Sequence, residues 1–170
     1  IGVARAKEVV QQLLSFSQVP DETREPLRID PLVKESVKLM RSTIPANIEI
    51  DITIDDDCYR VMANPAQIHQ VMINMCTNAA HATRRGGSIH VRLKNRIFMP
   101  SDTDADNPQY RREYLQLTIQ DTGCGIPPEL TERIFDPYFT TKDVGKGSGM
   151  GLAVVHGIVQ SLGGVITVTS

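Results

Sequence analysis

DTGCGI at residues 121–126 and GKGSGMGL at 145–152 bracket FDPYFTTK at 135–142, and all three lie downstream of QVMINMCTNAAHA at 70–82. The first glycine run ends an apolar strand pattern, YLQLTIQ at 114–120, and the second opens a helix pattern at 150–162. The 70–82 stretch repeats at helical spacing and belongs to a helix over 64–83, opened by Asn64-Pro65 as N-cap and first helical residue. Glycine at the ends of regular elements lets backbone pass close to a flat or charged group without a Cβ clash.

Upstream of this frame the elements alternate. A short strand is predicted at 27–29, and Asp30-Pro31 reads as a cap that opens a helix to residue 43. Residues 47–54 alternate as a strand with Ile48, Ile50, Ile52 and Ile54 on one face, and 59–62 is a further short strand. Gly86-Gly87 turns into a strand at 88–96, 100–112 is a polar loop, and Gly163-Gly164 leads to a last strand at 165–169. The pattern predicts an α+β fold, a two-layer α/β sandwich whose mixed sheet is covered on one face by helices.

The chain has 170 residues, 41% of them hydrophobic, enough for one packed domain and a short appendage. A net charge of −2 gives no global basic field, so nucleic acid is not an expected partner. No apolar run has the length to span a bilayer. Cys58, Cys76 and Cys124 are odd in number without CxxC spacing, which fits free thiols in a reducing compartment. The first residue is Ile1 rather than Met, so the chain reads as a fragment, and a membrane-anchored parent stays open. Residues 1–17 form a helix pattern about 25 Å long, followed at 18–26 by a linker with two prolines and four charges. That helix is either a packed terminal helix or the remnant of a dimerisation element.

The 64–83 helix carries two stripes. Ile68, Val71, Met72, Met75, Ala79 and Ala82 are apolar, while Gln70, Asn74 and Asn78 stand one turn apart on another face. Asparagine is a mediocre helix former, so two of them beside an apolar stripe call for a reason. One is a solvated face. The other is a row of amide groups facing a ligand, where an amide oxygen suits Mg²⁺ that already carries phosphate oxygens.

Asp121, at the end of an apolar strand, can accept from the exocyclic amine of adenine. Gly123 and Gly125 let the base approach, and Ile126 can pack against it. A plain Asp-Thr-Gly turn is the ordinary alternative. Gly147, Ser148, Gly149 and Gly151 precede a helix N-terminus that favours an anion, against the alternative of a flexible loop. Neither the P-loop spacing nor a Rossmann unit is present. Pro127, Pro128 and Pro137 suggest a mobile intervening segment, and Phe135, Tyr138 and Phe139, in a chain only 5% aromatic, suit a lid, against the alternative of ordinary loop packing. Lys142 and Lys146 can meet phosphates or serve only as surface charge.

Together these stretches resemble the ATP-binding catalytic domain of bacterial sensor histidine kinases, in the superfamily shared with gyrase, mismatch-repair ATPases and heat-shock chaperone ATPases. Residues 74–79 resemble its asparagine box and DTGCGI its first glycine box. FDPYFTTK resembles its phenylalanine box, and GSGMGL its second glycine box, which brings in Met150 and Leu152. The resemblance covers about 27–170 and implies a Bergerat-type ATP-binding fold. It implies Asn78 on Mg²⁺, Asn74 at the phosphate end and Asp121 reading adenine, with Asn74 and Asn78 the catalytic pair. Residues 1–17 resemble the end of the dimerisation and phosphoacceptor domain.

The resemblance further implies a protein histidine kinase working as a homodimer in a cytoplasmic phosphorelay. ATP, the dimerisation domain and a response regulator receiver domain would be its partners, and the parent could be anchored in the inner membrane. Where the hydrolytic branch has a water-activating Glu, this chain has Asn74, and an amide is no general base at neutral pH. Transfer to a separate acceptor therefore fits better than hydrolysis. His81 replaces a Lys common in other kinases. None of His69, His81, His90 or His156 has an acceptor-like context, so the acceptor histidine is expected outside this chain, and the family's last strand is expected to be cut short. A noncatalytic nucleotide-sensing module and a gyrase-like ATPase are the alternatives.

Overall fold

The computed structural model describes residues 23–83, 86–98, 112–142 and 147–170. The helix expected over 1–17, most of the linker, the polar loop up to residue 111, and Lys146 lie outside the described residues. The elements are β1 (Glu25–Leu27), α1 (Ile29–Met40), β2 (Ile48–Ile54), β3 (Val61–Ala63), α2 (Pro65–Ala82), β4 (Gly87–Phe98), β5 (Arg112–Asp121), a 3₁₀ turn at Pro128–Leu130 and α3 (Gly151–Ser161). Glu25–Gly125 forms one compact unit and Ile126–Ser170 belongs to a second.

In the first unit the sheet order is β2-β4-β5. β2 and β4 are parallel from Ile48 opposite Gly87 to Ile54 opposite Leu93, and β4 and β5 antiparallel from Ile89 opposite Asp121. A parallel pair cannot be joined by a tight turn, and here β3 and α2 make the crossover. Alternate residues of β4, Ile89, Val91 and Leu93, are buried, while His90, Arg92, Lys94 and Arg96 between them are not. The helices meet that apolar face with Val33, Val37 and Met40 from α1 and Ile68, Val71, Met72, Cys76 and Ala79 from α2. The expected mixed sheet under helices is therefore present. β1 and β3, expected to belong to it, form a separate two-stranded ribbon instead.

Four local expectations need correction. β1 lies at Glu25–Leu27, two residues early, because its register pairs Glu25 with Ala63 and draws Glu25 and Pro26 out of the expected linker. α1 also starts early. Its N-cap is Arg28, and Asp30 sits inside the first turn, gripped by the Arg28 guanidinium at 3.0 and 3.1 Å. A carboxylate in the first turn is favoured by the helix dipole, and the two-pronged pair fixes it there. In β2, Ile48 and Ile50 are buried but Ile52 is 38% exposed, as the helical layer covers only the first half of this edge strand. Residues 165–169 are not a strand. Among the described residues none pairs with them, and Val165 is 79% exposed; alternation without a neighbouring edge leaves the backbone groups without ladder partners. The Asn64 cap is as expected, its side chain accepting from the Ala66 amide at 2.8 Å.

Candidate functional site

In the first unit, Gln70, Asn74 and Asn78 are all half-buried along α2, beside the buried apolar stripe. The Asn74 Nδ2 is itself buried and, among the described residues, has no hydrogen-bond partner. A buried amide donor without an acceptor is costly, so the arrangement makes sense when an acceptor arrives from outside.

The Asp-Thr-Gly turn is seated on the last turn of the same helix. β5 ends at Asp121, opposite Ile89. Thr122 prolongs the ladder: its amide donates to the Ser88 carbonyl at 3.1 Å and its hydroxyl accepts from the Ser88 amide at 3.0 Å. The Asp121 Oδ1 accepts from the Gly123 amide at 2.8 Å. A Cβ on Gly123 would fall 2.5 Å from the Ala82 Cβ and 2.6 Å from its carbonyl carbon. Only glycine allows that contact, which brings the Asp121 carboxylate to the helix that carries Asn74 and, one turn before Ala82, Asn78. Gly125 follows with φ 71°. Sequence reasoning missed three supporting residues here: Ala82 as the seat, Thr122 as the ladder extension, and Gly87, where a Cβ would lie 2.3 Å from the Thr122 hydroxyl. The Gly-Gly pair was the only sequence signal, and a turn already accounted for it.

In the second unit, Gly151 begins α3 and Met150 is its N-cap, with the Met150 amide donating to the Ser148 hydroxyl at 3.3 Å. Gly149 has φ 68°. Gly147 lies against Lys142, where a Cβ would stand 3.1 Å from the Lys142 Cδ and 2.9 Å from the Thr140 hydroxyl. The glycine run and the expected phosphate lysine are thus neighbours. Ile126 and Leu152 are half-buried, and the Ile126 amide donates to the Ser170 hydroxyl at 2.6 Å.

The intervening segment, expected as a lid or as ordinary loop packing, is a chain of tight turns that meets α3 through Phe135. Leu130, Ile134 and Phe139 amides close successive turns onto Pro127, Leu130 and Asp136 carbonyls. Ile134 is buried, the Phe135 ring lies 5.1 Å from the His156 ring, and the Arg133 guanidinium sits 4.7 Å over Phe139.

The two buried cysteines, Cys58 and Cys76, are ordinary core thiols. Burial pushes the Cys76 thiol up to about 11 and raises that of Cys58, so both stay neutral and unreactive at neutral pH. Among the described residues no group of three or more His, Cys, Asp or Glu could hold a metal.

The histidine kinase-, DNA gyrase B- and HSP90-like ATPase family matches residues 63–170. The chain is 37% identical over 166 residues to the sensor kinase CckA of Brucella abortus, covering 95% of this chain and 17% of that protein. It is 34% identical over 167 residues to the sensor histidine kinase ZraS of Salmonella typhimurium, covering 98% and 32%. It thus spans a third or less of these relatives. The fold is similar to the mycobacterial sensor histidine kinase MprB, at TM-score 0.64 and 26% identity over 82% of this chain and 80% of that one. It is also similar to the histidine kinase ThkA solved in complex with the response regulator TrrA, at TM-score 0.64 and 25% identity over 96% and 42%.

Proposed function

The chain belongs to the histidine kinase-, DNA gyrase B- and HSP90-like ATPase family, and from that premise we propose that it binds Mg-ATP and passes the γ-phosphoryl group to a histidine on a dimerisation domain. The bond from γ-phosphorus to the β–γ bridging oxygen breaks, a phosphorus–nitrogen bond forms on the acceptor imidazole, and ADP leaves. The observation that carries the proposal is the buried, unpartnered Asn74 Nδ2 on the helix where the Asp121–Gly123 turn is seated.

Each residue set has a role suited to its chemistry. The Asp121 carboxylate is held by the Gly123 amide through one oxygen, and the adenine amine is its proposed second partner. Gly123 and Gly125 leave room for the base, and Ile126 and Phe135 supply apolar contact. Asn74 donates to a phosphate oxygen. It cannot take a proton from water, which favours transfer over hydrolysis. Gly147, Ser148, Gly149, Met150, Gly151 and Leu152 carry amides at and before the α3 N-terminus, where an anion is favoured, with Lys142 alongside. Mg²⁺, when bound, neutralises phosphate charge, and the Asn78 amide oxygen with phosphate oxygens is a donor set that fits it.

The proposed partners are the dimerisation and acceptor domain of the same protein, in a homodimer, and a response regulator. Kinship with sensor kinases, one of them solved with a response regulator, supports this. Among the described residues no helix is long and apolar enough to cross a membrane. The proposed setting is the cytoplasm, with anchoring of the parent in the inner membrane left to other segments. The test is a calorimetric titration with ATP, with and without Mg²⁺, with GTP as control, followed by supply of a dimerisation fragment and labelled ATP. Magnesium-sensitive, ATP-selective binding with label on the fragment's histidine is expected. Binding without transfer would leave only a sensing module, and rapid phosphate release without the fragment would make it an ATPase.

A further inference from the structure

The Phe139 amide donates to the Asp136 carbonyl at 3.2 Å, closing a four-residue turn, Asp-Pro-Tyr-Phe. Proline second and positive φ third is the pattern of a type II turn, whose third position belongs to glycine or asparagine. Here it holds Tyr138, at φ 67°, the one non-glycine residue among those described with positive φ. A left-handed L-residue carries a steric cost, because its Cβ crowds the following carbonyl. Ring burial does not offset it, since Tyr138 is 72% exposed. An outlier maintained without local compensation points to function.

The backbone under this tyrosine touches the glycine run. A Cβ on Gly149 would stand 2.3 Å from the Tyr138 carbonyl carbon, 2.5 Å from its oxygen and 2.7 Å from its Cα. The two left-handed residues are back to back, with no side chain between them to absorb a displacement. Before the turn, Phe135 meets His156 of α3, and within the segment the Arg133 guanidinium lies over Phe139. A shift of the glycine run therefore falls on Tyr138, whose backbone lies directly against Gly149.

We infer that Tyr138 is a latch: phosphate on the glycine run displaces its backbone, relaxes its left-handed conformation and re-aims its exposed ring. This rests on the nucleotide reading proposed above. It makes ring orientation a signal of nucleotide occupancy that a neighbouring domain could read.

The chain contains no tryptophan, so Tyr138→Trp places a single indole at the latch. Its emission should change with ATP along the same saturation curve that calorimetry gives, while Tyr114→Trp, on the sheet, should stay silent. A second variant, Tyr138→Gly, removes the steric cost of the free state. It should melt higher than the parent and bind ATP about five- to tenfold more weakly, having no strain left to release. If the parent chain does not bind ATP, the nucleotide reading itself falls and the latch with it. If the parent binds but the indole at 138 is silent, or Tyr114→Trp responds equally, or Tyr138→Gly binds as tightly as the parent, the latch is overturned and the site stands.

Discussion

Two residues make the adenine and phosphate assignments open to failure one side chain at a time. The Gly123 amide holds one Asp121 oxygen at 2.8 Å. In Asp121→Asn the amide oxygen keeps that bond, so the amide NH₂ faces the base amine, donor against donor. ATP affinity should fall by about tenfold or more, roughly 1.4 kcal/mol, with circular dichroism unchanged. Calorimetry reads it, and unchanged affinity would remove Asp121 from the adenine site. Asn74 behaves differently, because its buried Nδ2 has no partner among the described residues. Asn74→Ala should leave the free protein as stable or more so, while weakening Mg-ATP binding, since removing an unsatisfied donor relieves a cost of about 1–3 kcal/mol. Urea titration with and without nucleotide separates the two effects; a large loss of stability without nucleotide would mark Asn74 as a structural residue instead.

At the scale of elements, α2 serves two functions. Its apolar stripe packs on the sheet and α1, and its polar stripe and final turn carry Asn74, Asn78 and the seat for Gly123. Its start is fixed by Asn64, which accepts from the Ala66 amide at 2.8 Å. Asn64→Ala should cost about 1 kcal/mol, read as a lower denaturation midpoint at unchanged slope. The two stripes and the cap were legible in the sequence because helix periodicity and capping are local. Cys76 lies almost fully buried yet falls outside the stripe that the sequence predicts, because a cysteine carries little signal of its own. The strand expected at 165–169 is absent for a related reason: alternation is local, but a strand also needs an edge to pair with, and pairing is not local.

For the whole molecule, the buried Cys76 sets an alkaline limit on stability. Its thiol is raised from 9.0 to about 11 by burial. Below pH 9 it is protonated in both folded and unfolded chains and its contribution is complete. Between pH 9 and 11 the unfolded chain releases the proton while the folded chain retains it, so stability falls by up to about 2–3 kcal/mol. Other groups titrate in this range, so the comparison is with Cys76→Ala, which should lose less stability between pH 8 and 10.5 than the parent. Equal losses in denaturant titrations would show that the thiol is not shielded in the folded state.

The sequence by itself determined the α+β class, the helix with its asparagine face, and the four boxes that carry the family kinship, because each is written in short-range periodicity or in glycines at element ends. Only the tertiary structure decided the rest. It separated β1 and β3 into their own ribbon, seated Gly123 on Ala82, left the Asn74 amide donor buried and unpartnered, and anchored the aromatic segment to α3 with Tyr138 strained against Gly149. Each of these is a contact between residues distant in sequence or a backbone angle imposed by such a contact. Local pattern names the residues that can make these contacts, and packing in three dimensions selects which of them do.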